Sequence, residues 1–450
     1  MPRLHSFHFL TTPLTIVILV MLQACTGGSS GDDEGSFTQA LSASPSPRSC
    51  SVAGINTWVY ESMQDYYLFY SQVPSSVNTG IYDTPEQLIR DLRVQPFDSF
   101  SYVTEETSYT AFFNEGETFG YGWNFSRNSS GALLFALIDP GSPLDFAGVQ
   151  RGETLVAING IDTDEFTQQT QEQINDILGT GEQSRTLTLR VADSNQQERQ
   201  VSVTKATYTL QTVLDTDILQ ANGTSVGYLH LSKFLATSSE ELAQAFSTLA
   251  SDGVSELVLD LRFNSGGRIS VANELASRIA GIGHDGDVFT TFAFNDKYSA
   301  YNTSLLFETM ADSLELNRVF VLQSEVTCSA SELVVNSLRP FMEVITIGQT
   351  SCGKPYATSP SYGCGKVANA LEIELLNAAG AGGYYDGIAA DCPVPEDVSK
   401  PLGDQTEPLL SAALDYIATG SCAISPRSRS GNAVELTNTF KPVWHGGNTL

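Results

Sequence analysis

The chain has 450 residues, 41% of them hydrophobic and 10% aromatic, enough to bury substantial cores in roughly two to three domains. Its 51 acidic residues against 23 basic ones give a formal net charge of −28, although only 16% of residues are charged. Such a surface repels nucleic acid and anionic headgroups, which argues against a polyanion-binding protein and reports on solubility more than on chemistry.

The N-terminus reads as an export signal over residues 1–24. Arg3 supplies positive charge, "FLTTPLTIVILVML" an apolar core too short for a comfortable membrane span, and "LQAC" a close with small Ala24 before Cys25. "LQAC" resembles the lipobox of bacterial lipoproteins. That resemblance implies cleavage before Cys25 and lipid attachment to it, and hence an envelope protein anchored in the membrane. The lack of an acid directly after Cys25 favours the outer membrane, with the protein facing the periplasm or the cell surface. Residues 25–50 are Gly/Ser/Pro-rich without an apolar period and read as a flexible tether. Cys50, Cys328, Cys352, Cys364, Cys392 and Cys422 remain, an even number in an exported chain, so disulfides are expected with the pairing open. Histidine is rare and no CxxC pair occurs, so no metal site is expected.

Residues 51–115 read as a small helical domain. "TWVYESMQDYYLFYSQVP" and "DTPEQLIRDLR" carry aromatics and Leu at helical spacing, and Asp83, Thr84 and Pro85 form a start signal. Residues 116–204 change to short β-rich runs punctuated by Gly, among them "FGYGWNF", "ALLFALIDP", "SRTLTLRVAD" and "ERQVSVTKA", with one helical segment, "TQEQINDIL". Over residues 205–425 strands such as "SVGYLHLSKF", "SELVLDLRF", "NRVFVLQSE" and "EVITIGQTS" alternate with single helices, which implies an α/β core with parallel crossovers. Residues 426–450 read as an irregular tail.

In "LVLDLRFNSGG" an apolar strand runs into a polar, Gly-paired loop, where backbone N–H groups can approach a ligand closely. Asp260 and Arg262 are expected to pair and fix that turn. "SASE", Ser329 to Glu332, fits a capping box at a helix start. The same position suits a nucleophile, because the helix N-terminus favours a developing oxyanion. A serine needs a base, and His230, in a strand-like segment, and His284, in a Gly-rich loop, have no third group arranged around them. Lys354 in "SCGKP" qualifies only if burial or a neighbouring cation lowers its pKa, and no acid stands near it in sequence.

Taken together, "LVLDLRFNSGG", "CSASE" and "GQTSCGK" resemble the C-terminal processing (tail-specific) peptidases, a family of Ser-Lys serine proteases. The resemblance runs from about Gly116 to Ala413. Within it, "PGSPLDFAGVQRGETLVAINGI" resembles a PDZ domain of the bacterial protease type. It implies an α/β protease core (ClpP/crotonase-like), with an inserted or preceding β-rich PDZ domain after the helical N-terminal domain. Ser329 matches the nucleophile and Lys354 the general base. Gly266, Gly267 and Ala330 match the oxyanion donors, and Phe119, Gly120, Tyr121 and Gly122 match the loop that holds a substrate chain end. The expected activity is that of an exported, lipid-anchored endopeptidase acting on envelope proteins or peptides without cofactor. Two positions depart from the family: Thr358 stands where Gln is common, and Pro355 where Gly is. Cys328 beside the nucleophile is also unusual, and a bridge to Cys352 would tie the serine loop to the lysine loop. The competing readings are a non-catalytic peptide- or hydrophobe-binding protein and a Ser-His hydrolase using His230 or His284.

Overall fold

The computed structural model describes residues 46–422 except Ser129 and Glu182. The export signal, Cys25, most of the tether and the tail lie outside the described residues. Among those described, no helix is long and apolar enough to cross a membrane.

The core is a six-stranded sheet ordered Val213–Ala221, Thr224–Leu231, Glu256–Asp260, Arg318–Gln323, Glu343–Gly348, Cys392–Pro393. The first two strands form an antiparallel hairpin and every later pairing is parallel. The central strands are almost continuously apolar because both faces are covered. Leu257, Leu259, Val319 and Val321 pack under helices Ser238–Ser251, Ile269–Ala280 and Ala330–Leu338. Val258, Phe320, Leu322 and Ile345, alternating with them, pack against Leu409, Leu410 and Ala413 of helix Pro408–Thr419. Asp260 and Arg262 pair as expected. Both are fully buried, the carboxylate accepts the Tyr228 hydroxyl at 2.8 Å, and Arg262 Nη1 reaches Glu407 at 2.9 Å.

A second, four-stranded antiparallel sheet runs Thr303–Leu306, Val288–Phe294, Leu371–Leu376, Tyr356–Thr358. Its Phe289, Ala357, Ile373 and Leu375 share the main core with helix Ala330–Leu338, so the strand that follows Lys354 and the helix that follows Ser329 belong to one packed body.

Of the N-terminal helices, Pro85–Leu92 starts at its signal, with Thr84 Oγ1 accepting the Gln87 N–H at 3.2 Å, while Val52–Asp65 begins ahead of the run read from Thr57, capped by Ser51. This segment is stitched to the core. Its Trp58, Met63, Tyr67 and Leu88 pack with Tyr356, Ala370 and Leu371, strand Tyr102–Glu105 pairs with Lys366–Asn369, and Cys50 is bridged to Cys364.

The β-rich unit has its own core. Strands Trp123–Arg127, Leu133–Ile138, Thr154–Ile158, Thr186–Ala192 and Glu198–Thr204 follow one another across its sheet, with helix Gln171–Leu178 packed through Ile174 and Leu178. The chain enters and leaves it through a two-stranded stem, Glu117–Gly120 paired with Ala206–Thr209. Arg151 docks the unit on the core, donating to Glu396 at 2.8 Å and to the Lys400 carbonyl at 2.9 Å.

Candidate active site

Ser329 stands at the junction of the loop after strand Arg318–Gln323 and the wholly buried helix Ala330–Leu338. Its backbone is at φ 56°, ψ −114°, a region that non-glycine residues avoid and that an ordinary N-cap, which is extended, does not use. Such a strained position persists only where its surroundings over-determine it, and here they do. The Ser329 N–H donates to Glu332 Oε2 at 2.9 Å. Cys328 N–H and Ser331 Oγ both donate to the Asn264 carbonyl, at 3.0 and 3.1 Å. Gly266 is pressed onto the serine so closely that a Cβ there would lie 2.8 Å from Ser329 Cβ. Ser329 Oγ faces the Glu332 N–H as in a capping box but makes no directed cap hydrogen bond.

The Gly pair is required by shape. Gly266 and Gly267 have φ of 100° and 145°, and a Cβ on Gly267 would meet the Phe234 carbonyl oxygen at 2.0 Å. Their N–H groups have different fates. The Gly266 N–H donates to Asn264 Oδ1 at 2.9 Å, while those of Gly267 and Ala330 have no acceptor among the described residues. Two unsatisfied donors thus flank Ser329, one from the loop and one from the helix N-terminus, which is the arrangement that stabilises an oxyanion.

Lys354 is brought to this place by a carboxylate that sequence reasoning read only as a cap. Glu332 is fully buried and accepts from Ser329 N–H, Ser351 Oγ at 2.5 Å, Gly353 N–H at 2.7 Å and Lys354 N–H at 2.8 Å. One side chain therefore holds the backbone of both Ser329 and Lys354. Burial keeps its pKa above the usual carboxylate range, against the pull of these donors. The Cys328–Cys352 disulfide, with Cα atoms 5.2 Å apart, adds a covalent tie between the two loops. Cys328, Cys352 and Glu332 place ligand atoms within 4.8 Å of one another, but with both sulfurs joined there are no thiolates to bind a metal.

The Lys354 ammonium lies 5.3 Å from the centre of the Phe100 ring and has no hydrogen-bond acceptor among the described residues. Burial lowers its pKa from 10.5 to about 8, outweighing the raising influence of Asp98 first and Glu332 second. The two acids come from distant parts of the chain, so the acid-free sequence around Lys354 does not describe its surroundings. Ser329 Oγ and Lys354 Nζ are not hydrogen-bonded to each other here; such contacts commonly tighten only with substrate bound.

The histidines lie elsewhere. His230 is buried in strand Thr224–Leu231 beside Asp260 and Arg262, and burial lowers its pKa. His284 Nδ1 pairs with Asp287 at 3.0 Å and its ring packs on Phe341. Neither is hydrogen-bonded to Ser329.

Phe119 and Gly120 lie in the stem, and Tyr121 and Gly122 form the loop leading to strand Trp123–Arg127, an edge of its sheet. Tyr121 is buried, its hydroxyl donating to the Leu178 carbonyl at 2.9 Å. Gly122 needs its φ of 88°, and a Cβ there would strike Ser142 Oγ at 2.1 Å. The N–H groups of Tyr121 and Gly122 have no acceptor among the described residues.

Residues 225–370 match peptidase family S41, and residues 54–102 match the peptidase S41 N-terminal domain. A carboxyl-terminal-processing protease of Picosynechococcus is 28% identical over 315 residues, which span 67% of this chain and 71% of that one. The enzyme of the same name from Synechocystis is 26% identical over 70% of this chain and 72% of its own length. Among solved structures, a Bacteroides fragilis chain assigned to the S41 proteases superposes with a TM-score of 0.65 at 25% identity, covering 81% of this chain and 97% of its own. A photosystem II D1 C-terminal processing protease shares the fold with a TM-score of 0.50 at 18% identity, over 76% of this chain and 93% of that one.

Proposed function

Because the chain belongs to peptidase family S41, whose members are serine peptidases, we propose that it is an exported endopeptidase working through a Ser329-Lys354 dyad. The observation that carries the reading is the Glu332 clamp. It fixes the backbone of Ser329 and Lys354 together while leaving the amine without a hydrogen-bond acceptor among the described residues. Neutral Lys354 takes the proton as Ser329 Oγ attacks the peptide carbonyl. The N–H groups of Gly267 and Ala330 receive the oxyanion. The lysine then gives that proton to the leaving amine; Lys354, neutral again, deprotonates the water that attacks the acyl-enzyme and returns the proton to Ser329 Oγ as the acid product leaves.

The α/β core is read as ClpP/crotonase-like and the β-rich unit as a PDZ domain. Its unsatisfied Tyr121 and Gly122 N–H groups, ahead of an edge strand, suit a terminal carboxylate on an added substrate strand. Cleavage of peptides ending in a free carboxylate or an amide tests both parts. The rate is expected to rise with pH through about 8 as Lys354 becomes neutral, and amidation is expected to raise KM with kcat little changed. A rate independent of pH between 6 and 10 would contradict the lysine base, and equal KM values would contradict the carboxylate site.

Export is read from Arg3 and the apolar core after it, and lipid attachment from "LQAC". Metabolic labelling with a radiolabelled fatty acid is expected to mark the protein and to be lost in Cys25→Ser; an unlabelled parent would remove the anchor from the account.

A further inference from the structure

The lysine's pocket is not closed by the peptidase core alone. Part of its wall comes from the N-terminal segment, through Phe100. Asp98 is fully buried, and its carboxylate accepts the Tyr67 hydroxyl at 2.7 Å and the N–H groups of Phe100 and Ser101, each at 2.8 Å. These bonds fix the turn that lays the Phe100 ring 5.3 Å from Lys354 Nζ. The same turn is pinned to the sheet that continues from the lysine, since Ser101 Oγ accepts the Leu371 N–H at 3.0 Å. Thr358, where the related peptidases often carry Gln, turns its hydroxyl to Asn369 Oδ1 at 3.4 Å. The core thus provides no orienting partner from that position.

We propose that Asp98 and Phe100 are positioning residues for Lys354, and that they hold the ammonium ion formed when the lysine takes the Ser329 proton. The proposal rests on the Ser-Lys reading of the site. A cation over an aromatic face is attracted by the ring quadrupole, and the buried carboxylate of the same turn adds a Coulomb attraction that solvent screens little. The proton on Lys354 arrives from Ser329 and leaves on the departing amine, so stabilising the ammonium lowers the barrier to the tetrahedral intermediate. Other charges are arranged around this contact. Glu332 also raises the pKa of Lys354, by less than Asp98. Tyr67 is hydrogen-bonded to Asp98, its pKa raised by burial first and by Asp98 second. Arg93 lies close enough to Asp98 to be influenced by it, and Asp98 also acts on Tyr356.

The sign is fixed. Asp98 raises the pKa of Lys354, so its loss must lower it. The chain has seven lysines, which makes the titration of one resolvable by NMR of lysine-labelled full-length protein, with Lys354→Arg supplying the assignment. In the Ser329→Ala background, Asp98→Asn is expected to move the Lys354 titration down by about one pH unit. Phe100→Leu, which keeps apolar cover without the ring face, is expected to move it down by less. In the active protein the acid limb of kcat should shift the same way and its plateau fall about tenfold, with KM little changed. Tyr67→Phe removes a hydrogen bond but no charge, so it should leave the titration where it is. An unchanged Lys354 titration in both Asp98→Asn and Phe100→Leu would overturn the proposal. If Asp98→Asn does not fold, an unchanged titration in Phe100→Leu alone overturns it. Because the titration needs no turnover, it separates this failure from failure of the peptidase reading, which would show as a correctly shifted lysine in a protein without activity.

Discussion

Lys354→Arg is expected to abolish peptide cleavage as completely as Ser329→Ala, by roughly five to six orders of magnitude in kcat, with neither variant losing much stability. Arg keeps the positive charge and much of the length of Lys, but its guanidinium does not give up a proton at any working pH. A lysine present for charge or packing would tolerate the change, and a general base would not. Ser329→Ala discriminates in the same way. If the hydroxyl were a helix cap, its loss would cost about 0.5–2 kcal/mol and leave catalysis alone. The φ of 56° and the absence of a directed cap bond argue that little is lost on that account. Melting temperatures close to the parent with no turnover are the expected pair of results. Retained turnover in Lys354→Arg would remove the mechanism.

Glu332→Ala is expected to lower both activity and stability. Four donors, from Ser329, Ser351, Gly353 and Lys354, converge on its carboxylate. Removing it strands them in a buried site, at about 1–3 kcal/mol for each one left unsatisfied. The total should exceed about 3 kcal/mol by denaturant titration even after partial relaxation. Ser329 and Lys354 would no longer share an anchor, and loss of alignment on the order of 1 Å is enough for about a hundredfold drop in kcat. Glu332→Gln keeps one acceptor oxygen and should fall between. Reducing the Cys328–Cys352 bridge in the Glu332→Gln protein should deepen its defect, because both ties between the loops are then gone. A Glu332→Ala protein with the parent's midpoint and kcat would show that the clamp is incidental.

The parts of the fold legible in the sequence were those whose signal is local. The buried parallel strands announce themselves as apolar runs, the crossover helices by their period and end signals, and Asp260 and Arg262 by their place after such a run. The four-stranded sheet was missed because its two outer strands, Thr303–Leu306 and Tyr356–Thr358, are very short and its central pair joins distant segments, Phe294 meeting Ile373. The candidate site's residues stand out in "SASE" and "SCGKP", but the connections that bring them together do not. Glu332 fits a capping box so well that its service to Gly353 and Lys354 leaves no further trace. Asp98 and Phe100 sit in a turn with no motif, far from Lys354 in the chain. The distinction between Gly266, whose N–H is taken by Asn264, and Gly267, whose N–H is open, is a matter of backbone geometry that residue type does not encode.

The central claim is that Ser329 is a nucleophile activated by Lys354. Its most direct measurement is the site of covalent attachment of a fluorophosphonate, read by peptide mapping of the intact protein at a pH above 8. The expected result is a single adduct on Ser329 that persists when His230 and His284 are each replaced by Gln and disappears in Lys354→Arg. No adduct in the folded parent, or an adduct on Ser329 undiminished by Lys354→Arg, would contradict the account.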